Sequence, residues 1–223
     1  MIEKQHARHE TRVCRICVIR HGETAWNAER RLQGHLDVPL NETGLAQADA
    51  AARHLADERF AALYTSDLLR TRQTATPLAR SLAREMIREP RLRERHYGCF
   101  QGLTYEEAAL RHPHDYARHK ARDPDFALPG GGESLIAFRH RIAAALAEIA
   151  ARHAGERVAV VTHGGVLDII HRFASGQPLE AARDFPIPNA ALNWIEFDDG
   201  RWRLLSWADQ AHLQFALDEL PDR

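Results

Sequence analysis

Few cysteines, no long apolar run and no surplus of either charge mark this sequence first by what they exclude. Its three cysteines, Cys14, Cys17 and Cys99, are odd in number and too few for a disulfide framework. Thirty Lys and Arg face 31 Asp and Glu, a formal net charge of -1 at pH 7. That balance lacks the basic excess of a dominant nucleic-acid binder, so no nucleic-acid partner is expected. No stretch reaches the roughly 20 apolar residues that span a bilayer, so no membrane partner is expected either. Residues 1–12 are polar and lack the apolar segment of a secretion signal. They read as a flexible tail, 13–223 as a single domain, and the cytoplasm as the default location.

The spacing of Cys14 and Cys17 invites a zinc or redox reading. They lie in a run, Val-Cys-Arg-Ile-Cys-Val-Ile, that reads as a strand. Side chains three apart on a strand point to opposite faces, so the two thiols cannot share a metal. They are expected to be small packing residues, and no metal site or cofactor is expected elsewhere.

What the sequence has is alternation of strands and helices. Short apolar runs at 13–19, 60–65 and 157–162 read as strands. Helices are expected at 42–56 behind an Asn41 cap, at 67–83 behind a Ser66 cap, at 104–111, at 133–153 and at 165–173. In 133–153 the apolar residues Leu135, Phe138, Ile142, Leu146 and Ile149 recur every three or four positions, one buried stripe. A brief strand is expected within 84–93, and 112–128 reads as a polar segment interrupted by proline. Strands at 191–197 and 201–206 flank Asp198-Asp199-Gly200, a hairpin signal. The fold class that follows is α/β: a three-layer α/β/α sandwich around a mostly parallel central sheet. Trp194 and Trp202 in the hairpin offer aromatic surface near a sheet edge, which suggests a homodimer.

In open α/β sheets, ligands bind beyond the carboxyl ends of the strands. Three segments fall there: Arg20-His21-Gly22-Glu23-Thr24, Ser66 to Arg70, and Thr162-His163-Gly164-Gly165. Two histidines and two arginines therefore reach one rim. Arginine presents a rigid, permanently charged fork suited to phosphate oxygens. Gly22 and Gly164 are expected to let the backbone approach a ligand, and helix N-termini add free N–H groups. A histidine can attack phosphorus through one ring nitrogen while a partner fixes the other. Two arginines balance the charge of a transferring phosphoryl group without magnesium. Taken alone, each histidine is more often a surface or packing residue; two placed alike, each before glycine, suggest a shared anion site.

The ordered set of motifs resembles the histidine phosphatase superfamily, in the branch of cofactor-dependent phosphoglycerate mutase and its phosphatase relatives. After Arg20-His21-Gly22-Glu23-Thr24 come Trp26-Asn27, Gln33-Gly34, Asp37 and Pro39-Leu40. Then follow Thr65-Ser66-Asp67-Leu68-Leu69-Arg70 with Gln73-Thr74-Ala75, the stretch from Leu92 to Gly98, Gly132-Glu133-Ser134, Thr162-His163-Gly164 and Pro188-Asn189. The resemblance implies a phosphoglycerate mutase-like fold and a metal-independent phosphomonoester hydrolase working through a covalent phosphohistidine. In that scheme His21 is the nucleophile, Arg20 and Arg70 clamp the phosphate, and Glu94 is the proton donor. His163, Asn27 and Gly164 join the phosphate site. Thr24, Gln33, Gly34, Tyr97 and Tyr105 are expected around the substrate, a small-molecule phosphomonoester. Without the resemblance Glu94, among arginines, would read as a surface ion pair. Of the other histidines only His96, so near Glu94, stays in reserve, and Glu133 and Ser134 are expected to organise the rim.

The mutases of this branch carry a lysine for the substrate carboxylate after the Gly-Leu step; here Gly102-Leu103 is followed by Thr104-Tyr105. They also have a longer, arginine-bearing insertion before the second histidine. Hydrolysis is therefore expected over isomerisation. Mutase activity, a phosphorylated nucleoside of the cobalamin pathway as substrate, and a scaffold that kept the fold without the chemistry are the competing readings.

Overall fold

Apolar runs closed by turn residues become strands, and the stripes between them become covering helices. The structure, a computed structural model, describes residues 13–213; the expected tail at 1–12 and the last ten residues of the expected domain lie outside the described residues. In chain order the elements are β1 (Cys14–Arg20), α1 (Ala25–Ala28), α2 (Glu42–His54), β2 (Ala62–Thr65), α3 (Leu69–Ser81), β3 (Met86–Arg88) and α4 (Tyr105–Arg111). There follow α5 (Pro113–Lys120), α6 (Leu135–Arg152), β4 (Arg157–Thr162), α7 (Gly164–Ser175), β5 (Leu192–Asp198) and β6 (Arg201–Asp209).

The six strands form one sheet in the order β3-β2-β4-β1-β5-β6. The first four in that order run parallel, and β5 runs antiparallel to both its neighbours, β1 and β6. This is the mostly parallel sheet with a late hairpin that the alternation implied. At the hairpin tip Asp199 and Gly200 both have positive φ, 45° and 77°, the geometry a tight two-residue turn between twisted strands requires.

Both faces of the sheet are covered. On one, Ile16 and Val18 pack with Phe138, Ile142 and Ile149 of α6 and with Val166 and Ile170 of α7. On the other, Cys17 and Ile19 pack with Ala52 of α2 and with Ala75 and Leu78 of α3. Fully burying one such Leu, Ile or Val contributes about 1.5–3 kcal/mol. Cys14 belongs to the first cluster and Cys17 to the second, so the two thiols do point apart. Burial pushes the Cys14 thiol up to about 11 and the Cys17 thiol higher still, which keeps both protonated.

Two expectations need correction. The third helix does not begin at a Ser66 cap. It starts at Leu69, whose N–H is taken by Asp37 Oδ1 at 2.5 Å, a carboxylate far upstream. The polar segment after α4 is not irregular: Pro113 opens α5, because a missing N–H and a fixed φ suit a first turn. Both hairpin tryptophans, partly buried, also have ring partners within their own chain. Trp194 stacks on Phe60 at 5.8 Å, and Trp202 packs against Phe173 and Phe197.

Candidate active site

β1, β2 and β4 lie side by side and all end at one rim, so the segments that follow them meet there. His21 extends the ladder through its N–H to Thr162 O at 2.8 Å, and Ser66 does the same to Val161 O at 3.1 Å. The imidazoles of His21 and His163 come within 5.3 Å, centroid to centroid, edge to face. Both expected histidines thus converge.

His21 is buried, and its Nδ1 donates to Gly22 O at 2.7 Å. That bond keeps the proton on Nδ1 and leaves Nε2 with its lone pair. Burial, with the charges of Arg70 and Arg20, holds the imidazole well below its ordinary pKa, so it is neutral at pH 7. His163 is wholly buried behind it, its Nε2 2.9 Å from Ser66 Oγ. Ser66 Oγ accepts from Leu68 N–H, and among the hydrogen bonds of the described residues His163 Nε2 is the one acceptor for its proton. The ring proton of His163 then rests on Nδ1, which is buried with no hydrogen-bond partner among the described residues. Sequence reasoning missed this role for Ser66 because serine before a helix reads as a cap.

Arg70 is buried on the first turn of α3; its two terminal nitrogens donate to Leu36 O at 2.9 Å and Gly34 O at 2.8 Å. Arg20 donates to Ile187 O. Both guanidinium groups are therefore fixed before any ligand arrives. Glu94 faces them, with Oε2 accepting from Gly165 N–H at 2.9 Å and Oε1 from Arg95 N–H at 2.7 Å. Burial raises its pKa, against the pull of those two bonds and of Arg70 and Arg20. The Glu94 carbonyl is held by His35 Nε2 at 2.8 Å and Arg141 Nη2 at 3.1 Å. Arg141 in turn pairs with Glu133 at 2.7 Å. Glu133 thus organises the rim, as expected. His96 is a structural residue: its N–H goes to Glu133 and its Nδ1 accepts from Gly98 N–H.

These groups border a cavity of about 440 Å³. Its wall includes Arg20, His21, Asn27, Gln33, Gly34, Arg70, Glu94, Tyr97, Tyr105 and Gly164, all of them expected at the site. His163, expected at the phosphate, stands behind His21 and is not in the wall, and neither is Thr24. Thr24 is wholly buried as the cap of α1, its Oγ1 donating to Asn27 Oδ1 at 3.0 Å and accepting Asn27 N–H, so it holds Asn27 in place rather than facing substrate. Asn189, from the late Pro188-Asn189 segment, does reach the wall and donates to His21 O at 2.9 Å.

Gly22 also differs from expectation. A Cβ there would come within 2.4 Å of Gly44 O, and one on Gly44 within 2.0 Å of Glu23 O. The glycine serves a backbone-to-backbone contact with α2, not the approach of a ligand. Gly44 carried no local signal that pointed to this.

Three histidines of lowered pKa predict acid sensitivity. Burial holds His21 and His163 well below the ordinary value near 6.5 and pushes His119 down to about 4. Below 6.5 the unfolded chain binds protons that the folded one refuses, so stability is intact above that pH and falls as the pH drops. Each pH unit in that window costs about 1.4 kcal/mol per histidine. Glu94, raised, acts in the opposite sense, one group against three. The urea midpoint should therefore be clearly lower at pH 5.5 than at pH 7.5; equal midpoints would contradict the buried neutral histidines.

A neutral buried histidine, two fixed arginines and a carboxyl group of raised pKa border one cavity, an arrangement suited to phosphoryl transfer. Comparison with known proteins agrees. Residues 16–210 match the histidine phosphatase superfamily (branch 1), and the chain belongs to that family. It is 42% identical over 206 residues, 92% of this chain and 85% of the relative, to a metal-independent phosphoserine phosphatase of Arabidopsis thaliana. It is 34% identical over 216 residues, 92% of this chain and 98% of the relative, to a probable phosphoglycerate mutase GpmB of Yersinia pestis. Among solved structures, a mycobacterial glucosyl-3-phosphoglycerate phosphatase superposes with a TM-score of 0.78 at 31% identity, covering 89% of this chain and 100% of its own. The protein is a phosphatase of this superfamily, with the phosphoglycerate mutase-like fold. Among the described residues no helix is long and apolar enough to cross a membrane.

Proposed function

We propose that His21 Nε2 attacks the phosphorus of a small phosphomonoester, that Glu94 protonates the departing oxygen, and that water then releases phosphate from phosphohistidine. The observation that carries this is the bond from His21 Nδ1–H to Gly22 O, which leaves Nε2 as the unprotonated nitrogen of a ring burial keeps neutral. Arg20 and Arg70 neutralise the phosphoryl oxygens. His163, with its proton on Nδ1, adds a donor whose buried, unsatisfied state costs about 1–3 kcal/mol until an anion completes it. Asn27 and the Gly164 N–H complete the phosphate site, while Gln33, Gly34, Tyr97 and Tyr105 border the leaving group. Once the ester oxygen has left with its proton, the Glu94 carboxylate takes a proton from the attacking water.

Relatives named for phosphoserine and glucosyl-3-phosphoglycerate bring small phosphorylated acids into scope. A mutase reading has its own support in the GpmB likeness, but Tyr105 in the cavity wall cannot neutralise a carboxylate as lysine does. The chemistry is independent of a divalent metal because the two arginines supply the positive charge. The reduced thiols of Cys14 and Cys17 suit a cytoplasmic setting.

The test is a panel of phosphomonoesters assayed for released phosphate with and without excess chelator, with 3-phosphoglycerate followed for isomerisation beside its bisphosphate cofactor. Phosphate release that chelator does not reduce is the expected result. Rapid isomerisation with negligible release, or turnover restored only by magnesium or zinc, would overturn the proposal.

A further inference from the structure

The cavity continues from the phosphate end along α7. Gly164 and Gly165 line it at the helix start, and Asp168 lines it one turn further on, about 6 Å along the axis from Gly164. Asp168 Oδ2 accepts from Arg122 Nη2 at 2.6 Å and from Arg172 Nε at 3.0 Å. Its Oδ1 takes one long bond, 3.3 Å, from Arg172 Nη2. Arg172 is wholly buried and spends another nitrogen on Pro178 O. Arg122, by contrast, stands in the cavity wall, its Nε tied to Leu179 O at 2.7 Å.

Arg122 adopts φ 54°, a left-handed backbone that costs a non-glycine residue of order 1–3 kcal/mol and persists where the surroundings hold the side chain in place. Beside it Arg95 lines the same wall, lowered in pKa by burial and by repulsion from Arg122. Burial and those two arginines also depress His119, a further wall residue. Arg95 and His119 thus both register one concentrated positive potential with a carboxylate at its edge. Pairing the buried Arg172 would account for Asp168 alone, but not for the arrival of Arg122 at the same carboxylate from the cavity side.

A cationic pair adjoining one acid complements a zwitterion. We infer that this end of the cavity is an α-amino-acid subsite: Arg122 and Arg95 receive the substrate carboxylate, Asp168 Oδ1 its ammonium, and the preferred substrate is a phosphorylated α-amino acid with a short side chain. The inference rests on the phosphatase reading of His21 and goes beyond it by assigning residues to the leaving group. A hydroxy acid would present Asp168 with a neutral hydroxyl, and an amine alone would bring no carboxylate to the two arginines.

The unmodified protein is assayed with O-phosphoserine, 3-phosphoglycerate, O-phosphoethanolamine and p-nitrophenyl phosphate. O-Phosphoserine should exceed 3-phosphoglycerate and O-phosphoethanolamine in kcat/KM by roughly tenfold or more, the effect of one lost charge-assisted hydrogen bond. Asp168→Asn should shrink the phosphoserine-to-phosphoglycerate ratio, and Arg122→Gln the phosphoserine-to-phosphoethanolamine ratio, each by about the same factor. Melting curves accompany both variants; if Asp168→Asn fails to fold because Arg172 is left unpaired, the unmodified panel and Arg122→Gln still decide. Equal handling of phosphoserine and phosphoglycerate by the unmodified protein, or ratios unmoved in folded variants, would overturn the subsite. No hydrolysis even of the aryl ester would instead overturn the phosphatase reading beneath it.

Discussion

Alanine at position 21 is expected to lower phosphomonoester turnover by roughly four orders of magnitude or more, because removing a covalent nucleophile removes the pathway and not one contribution to it. The side chain is buried between two arginines, and its Nδ1 proton is committed to Gly22 O, so no neighbour can present an equivalent lone pair at Nε2. His163 is near, but its Nε2 is engaged by Ser66 and its Nδ1 carries the ring proton, so it offers no free lone pair. The variant should fold, since the site lies at the ends of the strands and not in the sheet core. Quenching the unmodified enzyme during turnover should trap phosphate on the protein in a form stable to alkali and lost in acid, the signature of phosphohistidine, and the variant should trap none. Residual turnover within about tenfold of the unmodified enzyme would mean that another group attacks phosphorus.

Glu94→Gln should cost roughly 10²- to 10⁴-fold on alkyl phosphates, the range of a general acid, and markedly less on aryl phosphates whose leaving group needs no proton. The pH profile carries the sign. Glu94 has a raised pKa, so the acid form persists to higher pH than usual, and alkyl-ester turnover falls as pH rises through that value. His21 is depressed, so its unprotonated form is lost only when pH falls far below the ordinary histidine range. Turnover should therefore span a broad plateau, and the glutamine variant should lack its alkaline limb. Equal losses on aryl and alkyl esters with that limb intact would reduce Glu94 to a support of its loop.

The parts of this molecule that were legible in the sequence are those whose cause is local or repeated. Residues 16–19 of β1 and 158–161 of β4 are apolar because neighbours cover both their faces, and α6 carries its stripe at regular spacing. Strand ends gave the place of the site, and the motif resemblance gave Glu94, which no local pattern distinguishes from a surface acid. What stayed hidden depends on contacts distant in sequence. Ser66 carries the signal of a cap, yet Asp37 caps the helix and frees the serine for His163. Pro113 reads equally as a break or as a first helical turn. Thr24 sits in the motif but turns inward, and Arg122 meets Asp168 across 46 residues with nothing near either to announce it.

The contact between Gly22 and Gly44 joins two things that are usually separable. With no room for one carbon atom between the His21 loop and the first turn of α2, a shift of that helix has nowhere to go except into the loop. The helix is anchored to the loop a second time, by Asn41 Nδ2 on Glu23 Oε1 at 2.6 Å and by Gln47 Oε1 on Glu23 N–H at 2.8 Å. Fraying of α2, an outer element, is therefore felt at the phosphorus-binding groups before the sheet itself is disturbed. In an enzyme built this way catalytic output doubles as a gauge of local order, and heat or denaturant will silence it ahead of global unfolding.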